Sequence, residues 1–365
     1  MSLSENAHDP ATAEEESAVA GTSLLPRIAG RLGKTLFSLI ITLFGLLLVT
    51  FTIARVVPVD PALAVVGPRA TQEQYEAARH ELGLDQPIPV QFVKYLTAVV
   101  QGDFGNSNLT GRPVIDDIRD AFPATLELAT LATILGVLLG VPAGVVSAVN
   151  QGRWPDHVLR VVGLLGYSMP VFWLGLIALL IFYGDLGWAA GPGRLDVTQQ
   201  MNYELDVTVL TGSVLIDSAL SGAWEVFFNA LRHIALPVFV LGYYSLAYIS
   251  RMTRSFMLEQ LGQEYVTAAR VKGVPERRVV WVHALGNAMV PLITVIALSY
   301  ASLLEGSVLT ETVFAWPGLG LYITQALFAA DLNAVLGGTV VIGVSFIVLN
   351  LLSDLLYTVV DPRAQ

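Results

Sequence analysis

The sequence contains no cysteine. Disulfide frameworks, thiolate metal sites and nucleophilic cysteine chemistry are excluded with it. Charge is scarce too: Asp, Glu, Lys and Arg make up 14% of the 365 residues, where a soluble globular protein carries about 25%. Five histidines (His8, His80, His157, His233 and His283) show no H-x-x-x-H or H-E-x-x-H spacing, which argues against a zinc enzyme. What fills the chain instead is apolar: 54% of residues are hydrophobic, and the mean hydropathy is +0.63. The combination points to an all-α membrane protein.

A nucleotide site is missing as well. Gly33-Lys34-Thr35 mimics the end of a phosphate-binding loop, but G-x-x-x-x-G-K-[ST] requires a glycine at position 28, where Ile28 stands. An apolar run follows, so Lys34 reads as an interfacial anchor. No hydrolytic constellation is visible. The chain is therefore expected not to be an enzyme, and to carry no cofactor, no metal and no nucleic-acid partner.

The net charge of −10 is unevenly placed. Glu5, Asp9, Glu14, Glu15 and Glu16 crowd the first 23 residues, without Lys or Arg. Residues 1–26 are expected to form a disordered acidic tail rather than the basic leader of a signal peptide. Arg27, Arg31 and Lys34 then precede the first apolar run. A spanning helix needs about 20 mostly apolar residues, and six stretches qualify: Phe37–Val57, Thr125–Val149, Val158–Tyr183, Ile234–Ser250, Ala284–Leu304 and Ala334–Val359.

Lys/Arg placement orients them. The 251–283 loop holds Arg251, Arg254, Arg270, Lys272, Arg277 and Arg278, whereas 184–230 holds Arg194 against six acids and 305–333 holds no Lys or Arg. Both termini are thus expected in the cytoplasm. The 58–122 segment is then a small extracytoplasmic element. In it Thr71 and Gln74 predict a capping box, Gly83 a helix stop, and Val90–Val100 a second amphipathic helix.

Within the second span, Gly136, Gly140 and Gly144 recur every four residues. That spacing predicts close backbone approach to a neighbouring helix. Pro142, Pro170, Pro237 and Pro291 sit in or beside spans, where neighbours can re-satisfy freed carbonyls. Glu127, Glu305, Asp331 and Asp354 lie near predicted span ends, where water or headgroups reach, so structural or interfacial roles are expected of them. An ion-driven carrier would bury paired charges near the midplane, and none is evident.

The basic loop is the remaining candidate for function. Glu264–Lys272 favours about two helical turns, Gly273 supplies a C-terminal stop, and Pro275 suits the start of a new helix carrying Arg277 and Arg278. Helix, glycine turn and helix make a compact knob at the cytoplasmic face. The bland alternative is a basic loop that serves topology only.

Thr267-Ala-Ala-Arg-Val-Lys-Gly273 resembles the EAA loop of ABC importer permeases, with Thr267 at a position often held by Glu. The resemblance is to the peptide and nickel branch, the B-type dipeptide or oligopeptide permeases. It extends through Pro58-Val-Asp-Pro61, Glu81-Leu-Gly-Leu-Asp-Gln-Pro87, Gly102-Asp-Phe-Gly-Asn-Ser107, Pro123-Ala-Thr-Leu-Glu-Leu128 and Ser168-Met-Pro-Val-Phe172. It continues in His283-Ala-Leu-Gly-Asn-Ala288, the 306–320 stretch from Gly306 to Gly320, Asn350-Leu-Leu-Ser-Asp354 and Asp361-Pro-Arg363. The chain departs from that pattern in its acidic tail, its enlarged 184–230 loop, and Val59 where the family usually has Gly.

The resemblance implies a type I ABC importer permease fold with six transmembrane helices in the cell inner membrane. It places the first helix in 27–57, an ABC core in 123–359 with its coupling loop at 251–283, and a cytoplasmic C-terminus in 360–365. It implies a homologous second permease, two cytoplasmic ATPase subunits and an extracytoplasmic substrate-binding protein as partners, with the lipid bilayer around them. Glu264, Thr267, Ala268, Ala269, Arg270 and Gly273 become the candidate ATPase-coupling residues. Di- and oligopeptides are the implied cargo. Nickel, opines, glutathione or another small solute from the same family, or a stand-alone secondary carrier, are the alternatives.

Overall fold

The computed structural model describes residues 24–56, 61–67, 69–81 and 83–360. The acidic tail through residue 23, positions 57–60 of the Pro-Val-Asp-Pro motif and the Asp361-Pro-Arg363 terminus lie outside them, as does the side chain of Asp354. Two units divide at Leu48/Val49. Fifteen helices run in order among the described residues: α1 (Leu24–Val56), α2 (Pro61–Val66), α3 (Gln72–Glu81), α4 (Ile88–Val100), α5 (Val114–Val149), α6 (Trp154–Ser168), α7 (Val171–Ala178), α8 (Val197–Asp206), α9 (Val214–Leu220), α10 (Trp224–Leu261), α11 (Glu264–Val271), α12 (Glu276–Arg278), α13 (Leu285–Val313), α14 (Leu319–Phe328) and α15 (Leu332–Val360). Wider π-type turns extend α7 through Leu179–Asp185 and precede α13 at Val279–Ala284. Among the described residues, β pairing is limited to an isolated bridge between Asn106 and Pro113.

Among the described residues, four helices are long and apolar enough to cross a membrane: α5, α10, the 276–313 helix ending in α13, and α15. The expected third span, Val158–Tyr183, is not continuous. α6 and α7 meet at 101° and count as at most one broken span. Met169, ahead of Pro170, is extended (φ −82°, ψ 132°), as the clash with the proline ring requires. Other expected bounds are too short. α5 begins at Val114 and carries Pro123 and Pro142 inside it, so the expected boundary at 123 falls within a helix. α10 reaches well beyond Ile234–Ser250 on both sides. Gly33-Lys34-Thr35 lies inside α1, far from any strand–loop–helix context.

The smaller helices follow their local signals. Thr71 and Gln74 cap α3 reciprocally: the Thr71 amide donates to Gln74 Oε1 (2.9 Å), and the Gln74 amide to Thr71 Oγ1 (3.3 Å). α4 sets Tyr95 against Thr50 (Oη to Oγ1, 3.0 Å), and Phe92 against Phe51.

α5 and α10 form the spine. A Cβ at Gly144 would lie 2.6 Å from the Ser250 carbonyl oxygen, and one at Gly140 3.0 Å from that of Leu246. Gly136 faces Ser245, which also contacts Ser299 of α13 (3.1 Å). The four-residue glycine spacing thus does what small residues do in lipid, where helices associate by close packing rather than by escaping water. Ala124, Leu128, Ala129 and Ala132 of α5 join Ile234 and Leu241 of α10, Leu303 and Leu304 of α13, and Trp316 in the main core.

Buried carboxylates tie the helix ends together. Glu127 accepts from Arg194 Nη2 (2.6 Å), Ser213 Oγ (2.6 Å) and the Leu215 amide (3.0 Å). Asp156 takes a two-pronged contact from Arg254 (Nε 2.8 Å, Nη2 2.9 Å), with Ser147 Oγ and the Gly152 amide completing its shell. Asp331 caps α15 through the Ala334 amide (3.2 Å) and accepts from Ser107 Oγ (2.6 Å) and the Leu109 amide (3.0 Å). Glu127 and Asp331 are therefore structural but buried, not bathed by water as expected; Glu305 is exposed. Two of these carboxylates are paired with arginine, Glu127 with Arg194 and Asp156 with Arg254.

Glu311 has no solvent exposure at all. Its carboxylate accepts from Thr125 Oγ1 (2.7 Å), Ser307 Oγ (2.9 Å) and the Leu321 amide (3.0 Å). The last is the third amide of α14, whose N-cap, Gly318, has no side chain to serve it. A Cβ at Gly318 would lie 2.5 Å from Glu311 Oε2, so the glycine makes room for a cap supplied by the preceding helix. Replacing Glu311 by Ala takes the acceptor from the Thr125 hydroxyl and the Leu321 amide, at about 1–3 kcal/mol each before relaxation, while the Ser307 hydroxyl keeps the Leu304 carbonyl (3.1 Å). The Glu311→Ala protein is expected to melt well below wild type, with Glu311→Gln between the two. Equal melting temperatures would show that the cap carries no stability.

Candidate functional site

α10 ends at Leu261, and Gly262-Gln263 turns the chain directly into α11. α11 is seated by one fully buried residue, Val266. Glu264, Thr267, Ala268, Arg270, Val271 and Lys272 are exposed around it, with Ala269 partly covered. Val271, an aliphatic side chain, is 83% exposed. Glu264, Thr267, Ala268, Val271 and Lys272 line a shallow open groove together with Gly262. Five of the six candidate coupling residues are thus solvent-facing; all but Gly273 lie within α11, and none of the six is buried.

The turn after α11 is a Schellman motif. The Val274 amide reaches back to the Ala269 carbonyl (3.1 Å), and the Gly273 amide to that of Arg270 (3.0 Å). Gly273 sits at φ +75°, in the left-handed region that the motif assigns to this position. No atom lies within 4 Å of a Cβ built on it, so the glycine answers a backbone demand and not a lack of space.

Across the turn, Arg270 donates to Glu276 through Nε (3.1 Å) and Nη2 (2.7 Å). This fork fastens α11 to α12. Both partners are about half exposed, which limits the pair to roughly 0.2–1 kcal/mol. Pro275 is the N-cap residue of α12 rather than its first helical residue. Beyond it, Val279 and Val280 are buried and root the loop in the bundle, while Arg277 and Arg278 stay exposed. The sequence pattern did not reveal Val266 as the anchor or Glu276 as the partner of Arg270. The one available signal was an opposite charge placed symmetrically across a glycine turn.

No group in this loop is arranged for bond chemistry. The loop is a solvent-facing knob with small side chains and an exposed aliphatic, carried between two long helices of the bundle. The chain belongs to the binding-protein-dependent transport system inner membrane component family, whose model matches residues 140–365, with the N-terminal model of the same transport systems matching residues 31–129. It is therefore a multi-pass transporter permease of the inner membrane.

The chain is 45% identical over 327 residues to the probable D,D-dipeptide transport system permease protein DdpB of Escherichia coli (strain K12), covering 90% of this chain and 95% of that one. It is 42% identical over 343 residues to the di/tripeptide transport system permease protein DppB of Pseudomonas aeruginosa (strain UCBPP-PA14), covering 94% and 99%. A solved structure of the MetNI methionine ABC transporter in an inward-facing conformation aligns with a TM-score of 0.48 and 17% identity, over 65% of this chain and 93% of that one.

Gly273→Val places a β-branched residue in the left-handed region, where even simple side chains cost roughly 1–2 kcal/mol. Amide hydrogen exchange at Gly273 and Val274 measures the cost. About a tenfold acceleration of the 274 amide is expected, with melting of the bundle unchanged. Unaltered exchange would mean that the turn does not depend on its glycine.

Proposed function

We propose that this chain is the membrane-spanning permease subunit of a binding-protein-dependent ABC importer for di- or oligopeptides. One observation carries the reading: an ordered but exposed helix–turn–helix, Glu264–Arg278, at the end of α10 in a chain whose family is that of binding-protein-dependent permeases. The names of the relatives support peptides as the cargo.

In this reading the chain hydrolyses nothing itself. Two cytoplasmic ATPases bind ATP, a homologous second permease completes the path, and an extracytoplasmic binding protein delivers the peptide. The chain crosses the membrane six times with both termini cytoplasmic. α1 is the first span, the broken α6–α7 unit the third, and α2–α4 lie on the extracytoplasmic side within 58–122. Residues 1–26 form the cytoplasmic tail, 123–359 the core, and 360–365 the cytoplasmic C-terminus.

Glu264, Thr267, Ala268, Ala269, Arg270 and Gly273 form the coupling surface. Small side chains at 268 and 269 let the backbone of α11 approach a partner closely. Val271 offers it an apolar contact, and Lys272, Arg277 and Arg278 an electropositive rim. ATP-driven closure of the ATPases moves this knob, and the packed helices pass the motion to the path between the permeases.

Ala268→Trp fills the groove without touching the bundle. It is expected to leave the chain in the membrane with its second permease, to release the ATPases on purification, and to lower peptide uptake at least tenfold, about 1.4 kcal/mol or more of lost coupling. Wild-type uptake by this variant, in a strain lacking other peptide importers, would sink the proposal. So would wild-type uptake that persists without ATPases and stops when the proton gradient collapses.

A further inference from the structure

α6 and α10 are tied at two places. At one end, a Cβ on Gly166 would lie 3.0 Å from the Tyr243 ring, and Tyr243 Oη donates to the Val162 carbonyl (2.7 Å). At the other end, Asp156 grips Arg254. The opening between these ties is a cavity of about 810 Å³, within the range of ligand pockets, about 300–1,000 Å³. It lies along the last turns of α10, immediately before α11.

Its lining is one-signed. Arg160, Arg251, Arg254 and His157 face it, and among the described residues lining it none is acidic. Arg254 is neutralised by Asp156, which lies buried behind it. Arg251 is held over the rings of Tyr167 (4.7 Å) and Tyr248 (5.7 Å). Those contacts fix the guanidinium while leaving its charge and most of its donors free. Arg160 and Arg251 have no carboxylate partner among the described residues. The apolar residues beside the cavity are open: Val158, Val161 and Leu164 of α6 are 50–64% exposed.

We propose that this cavity binds the headgroup of an anionic phospholipid, with Arg160 and Arg251 contacting the phosphate and the acyl chains lying along the exposed face of α6. Charge complementarity selects an anion, the fork geometry of two free guanidinium groups suits a phosphate, and the flanking apolar face selects an amphiphile over a soluble anion. Basic pockets between helices at the cytoplasmic side are where such headgroups are held. The placement in the cytoplasmic leaflet rests on the orientation proposed above, since the cavity shares its end of α10 with the coupling knob. A lipid wedged there braces α6 against the helix that carries the knob.

The test uses the whole transporter, purified with its second permease and ATPases, delipidated, and titrated with phosphatidylglycerol or phosphatidylcholine under native mass spectrometry. Wild type is expected to retain phosphatidylglycerol about tenfold over phosphatidylcholine, and Arg160→Gln/Arg251→Gln to lose that preference while staying assembled. Arg254 is left intact, because its removal would strand Asp156. No preference in wild type, or full preference in the double variant, overturns the site. Displacement of the lipid by equimolar glycerol phosphate overturns the lipid as occupant. A wild-type transporter that keeps its phosphatidylglycerol preference but cannot be isolated with ATPases would count against the coupling knob and leave the lipid site standing.

Discussion

A carboxylate taken out of water must collect its donors from the protein around it, because the bilayer offers none. Four of them organise this bundle. Glu127, Asp156, Glu311 and Asp331 each join segments far apart in sequence, and each is satisfied by three or four donors. Glu127 binds α5 to the segment that carries α8 and α9, Asp156 joins α5, α6 and α10, and Asp331 fastens the 101–113 loop to α15. Glu311 does two tasks at once, locking α13 to α5 and capping α14. Removing one partner from such a site costs more than the pair contributes, since the survivor is left unsatisfied. The nodes therefore specify which helix end meets which, more than they add to net stability.

The glycine contacts complement them. Carboxylates fix the ends, and Gly136, Gly140 and Gly144 fix the middle by letting α5 and α10 meet at the level of their backbones. Against this frame the Glu264–Arg278 knob is lightly attached: Val266 seats it, Ala269 and Val274 are partly covered, the Arg270–Glu276 fork spans its turn, and its other residues face solvent. Such an element keeps its shape without a partner and still leaves its surface free for one.

The legible parts of this structure were those encoded locally. The capping box at Thr71 and Gln74, the glycine stop at 273 and the four-residue glycine spacing each state their geometry within a few residues. The knob was legible for the same reason. The carboxylate nodes were not, because Arg194 lies 67 residues from Glu127 and Arg254 lies 98 from Asp156, and hydropathy scans register such residues only as interruptions. The break at Pro170 was hidden differently. A window of apolar residues scores alike whether the helix runs straight or turns by 101° within it. Glu311 lies inside the 306–320 stretch that carries the family resemblance, yet its task depends on α14 being capped at a residue with no side chain, Gly318.

The contact between α5 and α10 has a mechanical consequence. Two helices separated by ordinary side chains can slip past one another as rotamers exchange. Helices in backbone contact cannot, since sliding would drive peptide groups into each other. α10 spans 38 residues, about 57 Å at 1.5 Å per residue, and α11 is attached to one end of it by two residues. Over the stretch it shares with α5, α10 behaves as a splinted lever. In the proposed reading, a push delivered at the knob therefore moves the two helices together rather than one past the other.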